Sequence, residues 1–138
     1  MNLTIITGNL GSEPEMRYTG SGQAVTSFSV ATNRSYTAGN GEKVKETTWF
    51  RVTAWGKQAE ICKQYLQKGA KVAIEGRLTP DKATGNPRVY EKQDGTFAAS
   101  YELTVINVEF ISGTKSADKT SDYEPASADV GDGENMPF

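Results

Sequence analysis

The chain has 138 residues, no histidine and a single cysteine. This length suits one domain with a hydrophobic core, and the composition excludes Cys/His zinc sites, histidine-based catalytic triads and an intramolecular disulfide. The single cysteine indicates a reducing, cytosolic location, and no secretory signal or membrane-spanning stretch is visible.

Charge is unevenly distributed along the chain, whose formal net charge is −2. Residues 1–112 hold 13 basic and 11 acidic residues, whereas residues 113–138 hold two basic and six acidic ones. The second segment has too few apolar residues to offset its chain entropy, which predicts a disordered acidic tail. Its end, Met136-Pro137-Phe138, has the character of a docking peptide. A mildly basic body with an acidic tail indicates two separate roles.

The first half of the body contains two predicted strands, residues 3–10 and residues 24–33. Both are rich in strand-forming residues, and the second alternates between an apolar and a wettable face. Residues 34–46 are predicted to form the following loop, in which Gly39-Asn40-Gly41 supplies the positive φ angles of a tight reversal.

The third predicted strand, residues 47–55, has two different faces. Because side chains alternate with period two, Phe50 and Val52 share a core face. Trp49, Arg51 and Trp55 share the opposite face. Two indoles around a guanidinium form a poor core but a good surface for stacking unpaired bases and pairing with phosphates.

The second half of the body begins with a predicted helix over residues 57–68, ended by Gly69. Residues 71–78 form the fourth strand, residues 79–100 a long turn-rich excursion with the character of a loose hairpin, and residues 101–110 the fifth strand. Five strands with one helix between the third and fourth are the layout of the all-β, five-stranded Greek-key barrel called the OB-fold. Such barrels bind oligonucleotides on the face of strands two and three and in the loops between strands one and two and between strands four and five.

Aromatic and basic residues concentrate on the third strand and the two long loops. Trp49 and Trp55 are candidates for base stacking, with burial in a core or a subunit interface as the alternative. Tyr36 and Tyr90 lie in loops beside basic residues and are further stacking candidates. The candidate phosphate contacts are basic residues that could form an electrostatic track, each of which could instead serve solubility: Arg34, Lys43, Lys45, Arg51, Lys57, Lys71, Arg77, Lys82, Arg88 and Lys92. Cys62 is assigned to the helix core, and no carboxylate pair has catalytic spacing.

Four blocks in order, residues 8–18, 48–57, 65–69 and 74–78, resemble the bacterial single-stranded DNA-binding protein (SSB) family. The second block reads Thr-Trp-Phe-Arg-Val-Thr-Ala-Trp-Gly-Lys. The resemblance covers roughly residues 1–112 and the last few residues of the chain. This extent agrees with the division, made from the change in composition, into an OB-fold domain (1–112) and a tail (113–138).

This resemblance implies a non-enzymatic protein, usually a homotetramer, that binds and protects single-stranded DNA without sequence preference during replication, recombination and repair. Its base-stacking positions fall on Tyr36, Trp49, Trp55 and Tyr90. The family's acidic tail and apolar tip recruit replication, recombination and repair proteins, and the matching residues are Asp132, Glu134, Met136, Pro137 and Phe138. No cofactor, metal or membrane association is expected, and the location is the nucleoid-associated cytoplasm.

Two alternatives to this function remain open from the sequence. An RNA-binding OB module would use the same aromatic surface and would differ in its preference for the 2′-hydroxyl or for particular bases. An assembly protein would bury the same aromatic residues between subunits. Enzymatic activity is the least favoured reading of the chain.

Overall fold

The computed structural model describes residues 1–115 and contains eight strands and one helix over that range. They are β1 (Thr4–Leu10), β2 (Glu15–Tyr18), β3 (Ala24–Thr37), β4 (Lys43–Trp55), α1 (Lys57–Tyr65), β5 (Lys71–Leu78), β6 (Val89–Glu91), β7 (Phe97–Ala99) and β8 (Tyr101–Ser112). The five predicted strands correspond to β1, β3, β4, β5 and β8, with the helix between the third and fourth of them.

These five strands close into a barrel. The hydrogen-bonded order is β1-β5-β8-β4-β3, and a further pairing of β1 with β3 joins the two ends. Along one edge of β3, β1 pairs at Val30 and Ala31, whereas β2 pairs further back, between Ala24 and Ser27. Closure removes the sheet edges that would otherwise remain open, and this topology confirms the predicted OB-fold barrel.

The core of the barrel is apolar, with buried side chains from every wall strand, including Ile6 and Leu10 of β1. Val30, Val52, Ile74 and Leu103 are at most 1% exposed. The alternation of β4 holds, because Val52 and Ala54 are buried, whereas Arg51 and Trp55 are exposed and Thr53 between them is half-buried.

The helix α1 closes the barrel at one end. Its Ala59 and Cys62 are buried, and the hydroxyl of Thr26 on β3 donates a buried hydrogen bond of 2.7 Å to the carbonyl of Ala59. The predicted helix end at residue 68 is wrong, because Leu66 leaves the helix in an extended conformation (φ −92°, ψ 151°). Its side chain is fully buried in the core cluster.

The predicted loop over residues 34–46 is also wrong, since β3 and β4 continue as an antiparallel ribbon as far as the pair Thr37 and Lys43. Only residues 38–42 turn, with Gly41 at φ 88°. Cross-strand side-chain pairs support the extension. Arg34 forms an ion pair of 2.8 Å with Glu46, and the Thr47 hydroxyl donates to the Asn33 amide oxygen at 2.8 Å. We call this ribbon, residues 32–48, the arm.

The turn-rich excursion contains a hairpin, as predicted. The strands β6 and β7 pair antiparallel with each other and form a separate two-stranded sheet. Tyr90 is paired with Ala98 on one side of this hairpin, and Glu91 is paired with Phe97 on the other. The excursion therefore presents Tyr90 and Phe97 in opposite directions.

Candidate nucleic-acid interface

Trp49, Arg51 and Trp55 lie on the outward face of β4. Trp49 is 53% exposed and Trp55 is 42% exposed. They are six residues apart on one strand, which separates them by about 20 Å. The register sets Ala31, Ser29 and Val25 of β3 opposite Trp49, Arg51 and Trp55 respectively. We call the outward face formed by alternate residues from 25 to 31 of β3 and from 49 to 55 of β4 the platform; Val25, at its end, is buried.

The indole of Trp49 rests on the backbone of Gly11, which follows β1. A Cβ atom at Gly11 would lie 2.5 Å from Cζ3 of Trp49, 2.8 Å from Cη2 and 3.2 Å from the Ser29 hydroxyl. Real Cβ atoms essentially never approach other atoms this closely, so the absence of a side chain at residue 11 allows the observed indole position.

A groove runs along the platform at the Trp55 end. It has a volume of about 300 Å³, and the residues that line it are Arg17, Val25, Ser27, Arg51, Thr53, Trp55, Thr79, Arg88, Glu102 and Thr104. Hydroxyls, guanidinium groups and one indole suit a ligand with anionic groups and planar rings. The groove therefore combines stacking and charge on one surface.

Residues of the excursion complete the other side of the platform. Arg88 and Tyr90 line a smaller cavity together with Arg51 and Glu102. The structure thus brings two residues from the predicted excursion next to the centre of the third predicted strand. Arg77 faces outward beside the platform. It pairs with Thr104 of β8, which in turn pairs with Thr53 of β4, so the three side chains project from the same face of the sheet.

Tyr36 is not on the same face as the tryptophans. It pairs with Val44, and alternation along β3 and β4 assigns both residues to the face of the arm opposite Trp49. The guanidinium of Arg34 lies 4.6 Å from the centre of the Tyr36 ring and is also paired with Glu46. One side of the Tyr36 ring is therefore already occupied by a cation, which leaves the other side for stacking.

The remaining predicted phosphate contacts are exposed but dispersed. Lys43 and Lys45 lie near the tip of the arm, and on its Trp49 face by register. Lys57 begins α1, and Lys71 begins β5 opposite Asn9 of β1. Two more lie on the excursion, Lys82 before β6 and Lys92 in the turn between β6 and β7. Their roles remain predictions, as do those of the tail residues 132–138, which lie outside the described residues.

Neither a reactive thiol nor a metal centre is indicated within residues 1–115. Burial raises the pKa of Cys62 to about 12, so its thiol stays protonated at neutral pH and is a poor nucleophile. No group of three or more histidine, cysteine or acidic residues in the described part of the chain could hold a metal ion. No helix among these residues is long and apolar enough to cross a membrane.

Three residues at the platform were not predicted from the sequence. Arg17 pairs with Val25 and so joins the row that ends at Trp55. Gly11 supports the Trp49 indole. Glu102 lies opposite Arg51 in the parallel pairing of β4 with β8. Only Gly11 carried a signal, as a glycine at the end of a strand; the others depend on pairings between distant segments.

The sequence of residues 1–111 matches the sequence model of the Single-strand binding protein family. The chain belongs to this family. The single-stranded DNA-binding protein of Neisseria meningitidis serogroup B is 36% identical over 124 residues, 90% of this chain and 67% of that protein. Single-stranded DNA-binding protein 1 of Chlorobaculum tepidum is 44% identical over 92 residues, 64% of this chain and 57% of that protein. The family is one of non-enzymatic DNA-binding proteins, which confirms that the chain is not an enzyme.

Two solved structures of single-stranded DNA-binding proteins share the fold. A deletion mutant of the single-stranded DNA binding protein from Thermus aquaticus aligns with a TM-score of 0.63 at 26% identity, covering 82% of this chain and 51% of that one. The SSB of Plasmodium falciparum, in complex with single-stranded DNA, aligns with a TM-score of 0.63 at 24% identity, covering 81% and 96%. Both support the OB-fold of residues 1–115.

Proposed function

We propose that this member of the Single-strand binding protein family binds and protects single-stranded DNA without sequence preference. The observation that carries the proposal is the platform, on which Trp49 and Trp55 expose their indoles on either side of Arg51. Every base has a π-face, so stacking on indoles is tolerant of sequence. Relatives named as single-stranded DNA-binding proteins support the same conclusion.

The strand would follow the platform along β4. Bases would stack on Trp49 and Trp55, while Arg51, Arg88 and Arg77 pair with phosphates. Tyr90 would stack a further base, because it faces the cavity beside Arg51. Tyr36 would receive a base on the side of its ring away from Arg34, so a strand that reaches it must pass around the arm.

Fluorescence anisotropy with labelled oligonucleotides of several sequences tests this proposal. Trp49→Ala should weaken binding to all of them by about 1–3 kcal/mol, the cost of one lost stacking partner. The matched control is Phe97→Ala, because Phe97 is 71% exposed but is on the side of its hairpin opposite Tyr90. A loss confined to one sequence, or an equal loss in the control, would contradict the mechanism.

We also propose that the chain self-associates as a homotetramer. Exposed apolar side chains away from the platform support this, notably Ile5 on β1, 68% exposed, and Ile111 on β8, 49% exposed. Aromatic residues buried between subunits are the alternative role for the platform. Light scattering during size exclusion gives the assembly state, and loss of the tetramer in Trp49→Ala would favour that alternative.

The tail would recruit proteins of replication, recombination and repair in the nucleoid-associated cytoplasm. Support comes from the acidic run that includes Asp132 and Glu134 and from the apolar tip Met136-Pro137-Phe138. Deleting residues 135–138 should abolish capture of these proteins while leaving DNA affinity unchanged, because the platform is untouched. Equal capture by the truncated chain would refute a docking role.

A further inference from the structure

Glu102 is a carboxylate beside the platform. Neither the stacking of bases nor the pairing of phosphates gives it a role. The parallel register of β4 with β8 pairs Arg51 with Glu102, and paired residues project from the same face. The Glu102 side chain is 17% exposed, whereas its neighbour Arg88 is 61% exposed. A largely buried carboxylate next to a polyanion is unfavourable unless it contacts a hydrogen-bond donor.

One oxygen of Glu102 has spare capacity to accept a hydrogen bond. The Ser100 hydroxyl donates to Oε2 at 3.2 Å. Nη1 of Arg88 is 3.7 Å from Oε1, a distance that forms an ion pair but exceeds a hydrogen bond. Within residues 1–115 no side-chain or backbone donor is bonded to Oε1. This oxygen is therefore free to accept from a ligand.

The cavity beside this carboxylate has the size and lining of a site for one base. It measures about 170 Å³ and is lined by Arg51, Arg88, Tyr90 and Glu102. Sites for drug-sized molecules usually measure roughly 300–1,000 Å³, so a single planar ring is the appropriate occupant. Tyr90 offers a stacking surface, the two guanidinium groups offer donors to phosphate or carbonyl oxygens, and Glu102 offers an acceptor.

We propose that Glu102 accepts a hydrogen bond from the exocyclic amino group of a base in this cavity, and so favours cytosine over thymine there. Carboxylates accept from N4 of cytosine, whereas thymine presents the O4 acceptor at the same ring position. This inference rests on the proposed function, because it needs a single strand on the platform. It adds a local bias to binding that stacking otherwise makes tolerant of sequence.

The experiment compares dissociation constants for oligo-dC and oligo-dT of equal length, with the wild-type chain and with Glu102→Gln. The readout is the ratio of the two constants, since removing a negative charge strengthens binding to every strand and homopolymers differ in their own stacking. Glutamine keeps the size of the side chain, and its amide donates to O4 of thymine. We expect oligo-dC to weaken about tenfold relative to oligo-dT.

Glu15→Gln is the matched control. Glu15 pairs with Ser27 on the same outward face, but its side chain is exposed. It should change both affinities equally. An unchanged ratio in Glu102→Gln, or the same change of ratio in Glu15→Gln, would overturn the inference, because the carboxylate would then act on DNA through its charge alone.

A second measurement leaves the protein unaltered. Strands of 2-pyrimidinone deoxyriboside lack the 4-amino group of cytosine and add no bulk, so the wild-type chain should bind them about tenfold more weakly than oligo-dC. Equal affinities would overturn the inference even if Glu102→Gln does not fold. Failure of the wild-type chain to bind any of these strands would instead refute the proposed function.

Discussion

Alanine at Gly11 should disturb DNA binding through a tryptophan that lies 38 positions later in the chain. The new Cβ would lie 2.5 Å from Cζ3 of Trp49, whereas carbon atoms are in favourable contact at about 3.5 Å or more, so the indole must move by about 1 Å. Trp49 is 53% exposed and can rotate toward solvent. Gly11 has no positive φ angle, so alanine causes no backbone strain there.

The expected effects on stability and on affinity therefore differ. The free energy of unfolding should change by no more than about 0.5 kcal/mol, as for other surface substitutions. Binding should weaken by a fraction of the roughly 1–3 kcal/mol of a stacked base, with Trp49→Ala as the upper limit. The assays are urea unfolding and fluorescence anisotropy with a labelled oligonucleotide.

The control for Gly11→Ala is Gly20→Ala, since a Cβ atom at Gly20 meets nothing within 4 Å. It should leave both stability and affinity unchanged. A double-mutant cycle completes the design, because Gly11→Ala should have no further effect in a Trp49→Ala background. Additive losses in the double variant would refute the reasoning, since Gly11 would then act on binding independently of the indole.

Three further perturbations test the barrel, the platform and the core. Gly8→Ala should lower the free energy of unfolding, measured by urea titration, by about 1–3 kcal/mol, because the new Cβ would collide with the rigid backbone carbonyl of Ala31. A variant as stable as the wild type would disprove the close approach of β1 to β3 at this position. Arg51→Gln should make the slope of log affinity against log salt shallower by about 0.7. Lys68→Gln, at an exposed lysine outside the predicted phosphate contacts, should leave the slope unchanged, and equal slopes in the two variants would refute the Arg51 phosphate contact. Burial raises the Cys62 pKa to about 12 in the folded chain, whereas the thiol of the unfolded chain ionises near about pH 8.5. The contribution of the buried, protonated thiol to the free energy of unfolding is therefore fully present below about pH 8.5. It is lost as the pH rises to 12, by up to about 1.4 kcal/mol per pH unit. Parallel stability profiles of the wild type and Cys62→Ala across that window would contradict this assignment.

Local pattern was sufficient to predict the barrel strands and the orientation of the platform. A period of two along β4 assigns Trp49 and Trp55 to one face and Val52 to the other, and this alternation depends only on backbone geometry. The position of the helix followed from local spacing in the same way. Its end did not, because burial of Leu66 against the core overrides the pattern that favours a longer helix.

The sequence did not predict the features that depend on pairing between segments far apart in the chain. The arm is held by the Arg34 and Glu46 pair and by the hydrogen bond between Asn33 and Thr47, and neither is visible in a segment that reads as a glycine-containing loop. The position of Tyr36 on the other face of the arm follows from that extension. Glu102 reads as an ordinary charge in an alternating strand, and its burial arises from a parallel pairing with β4, about fifty residues away.

The central claim, that exposed indoles on the platform stack on unpaired DNA bases, is tested most directly by tryptophan fluorescence. The purified chain is titrated at two salt concentrations with oligo-dT and, separately, with matched oligo-U and duplex DNA. Trp49 and Trp55 are the only tryptophans in the chain, so the signal reports on the platform alone. We predict strong quenching by oligo-dT, a weaker response to RNA and little response to duplex. No quenching at low salt would contradict the account and would indicate that both indoles are buried in a subunit interface.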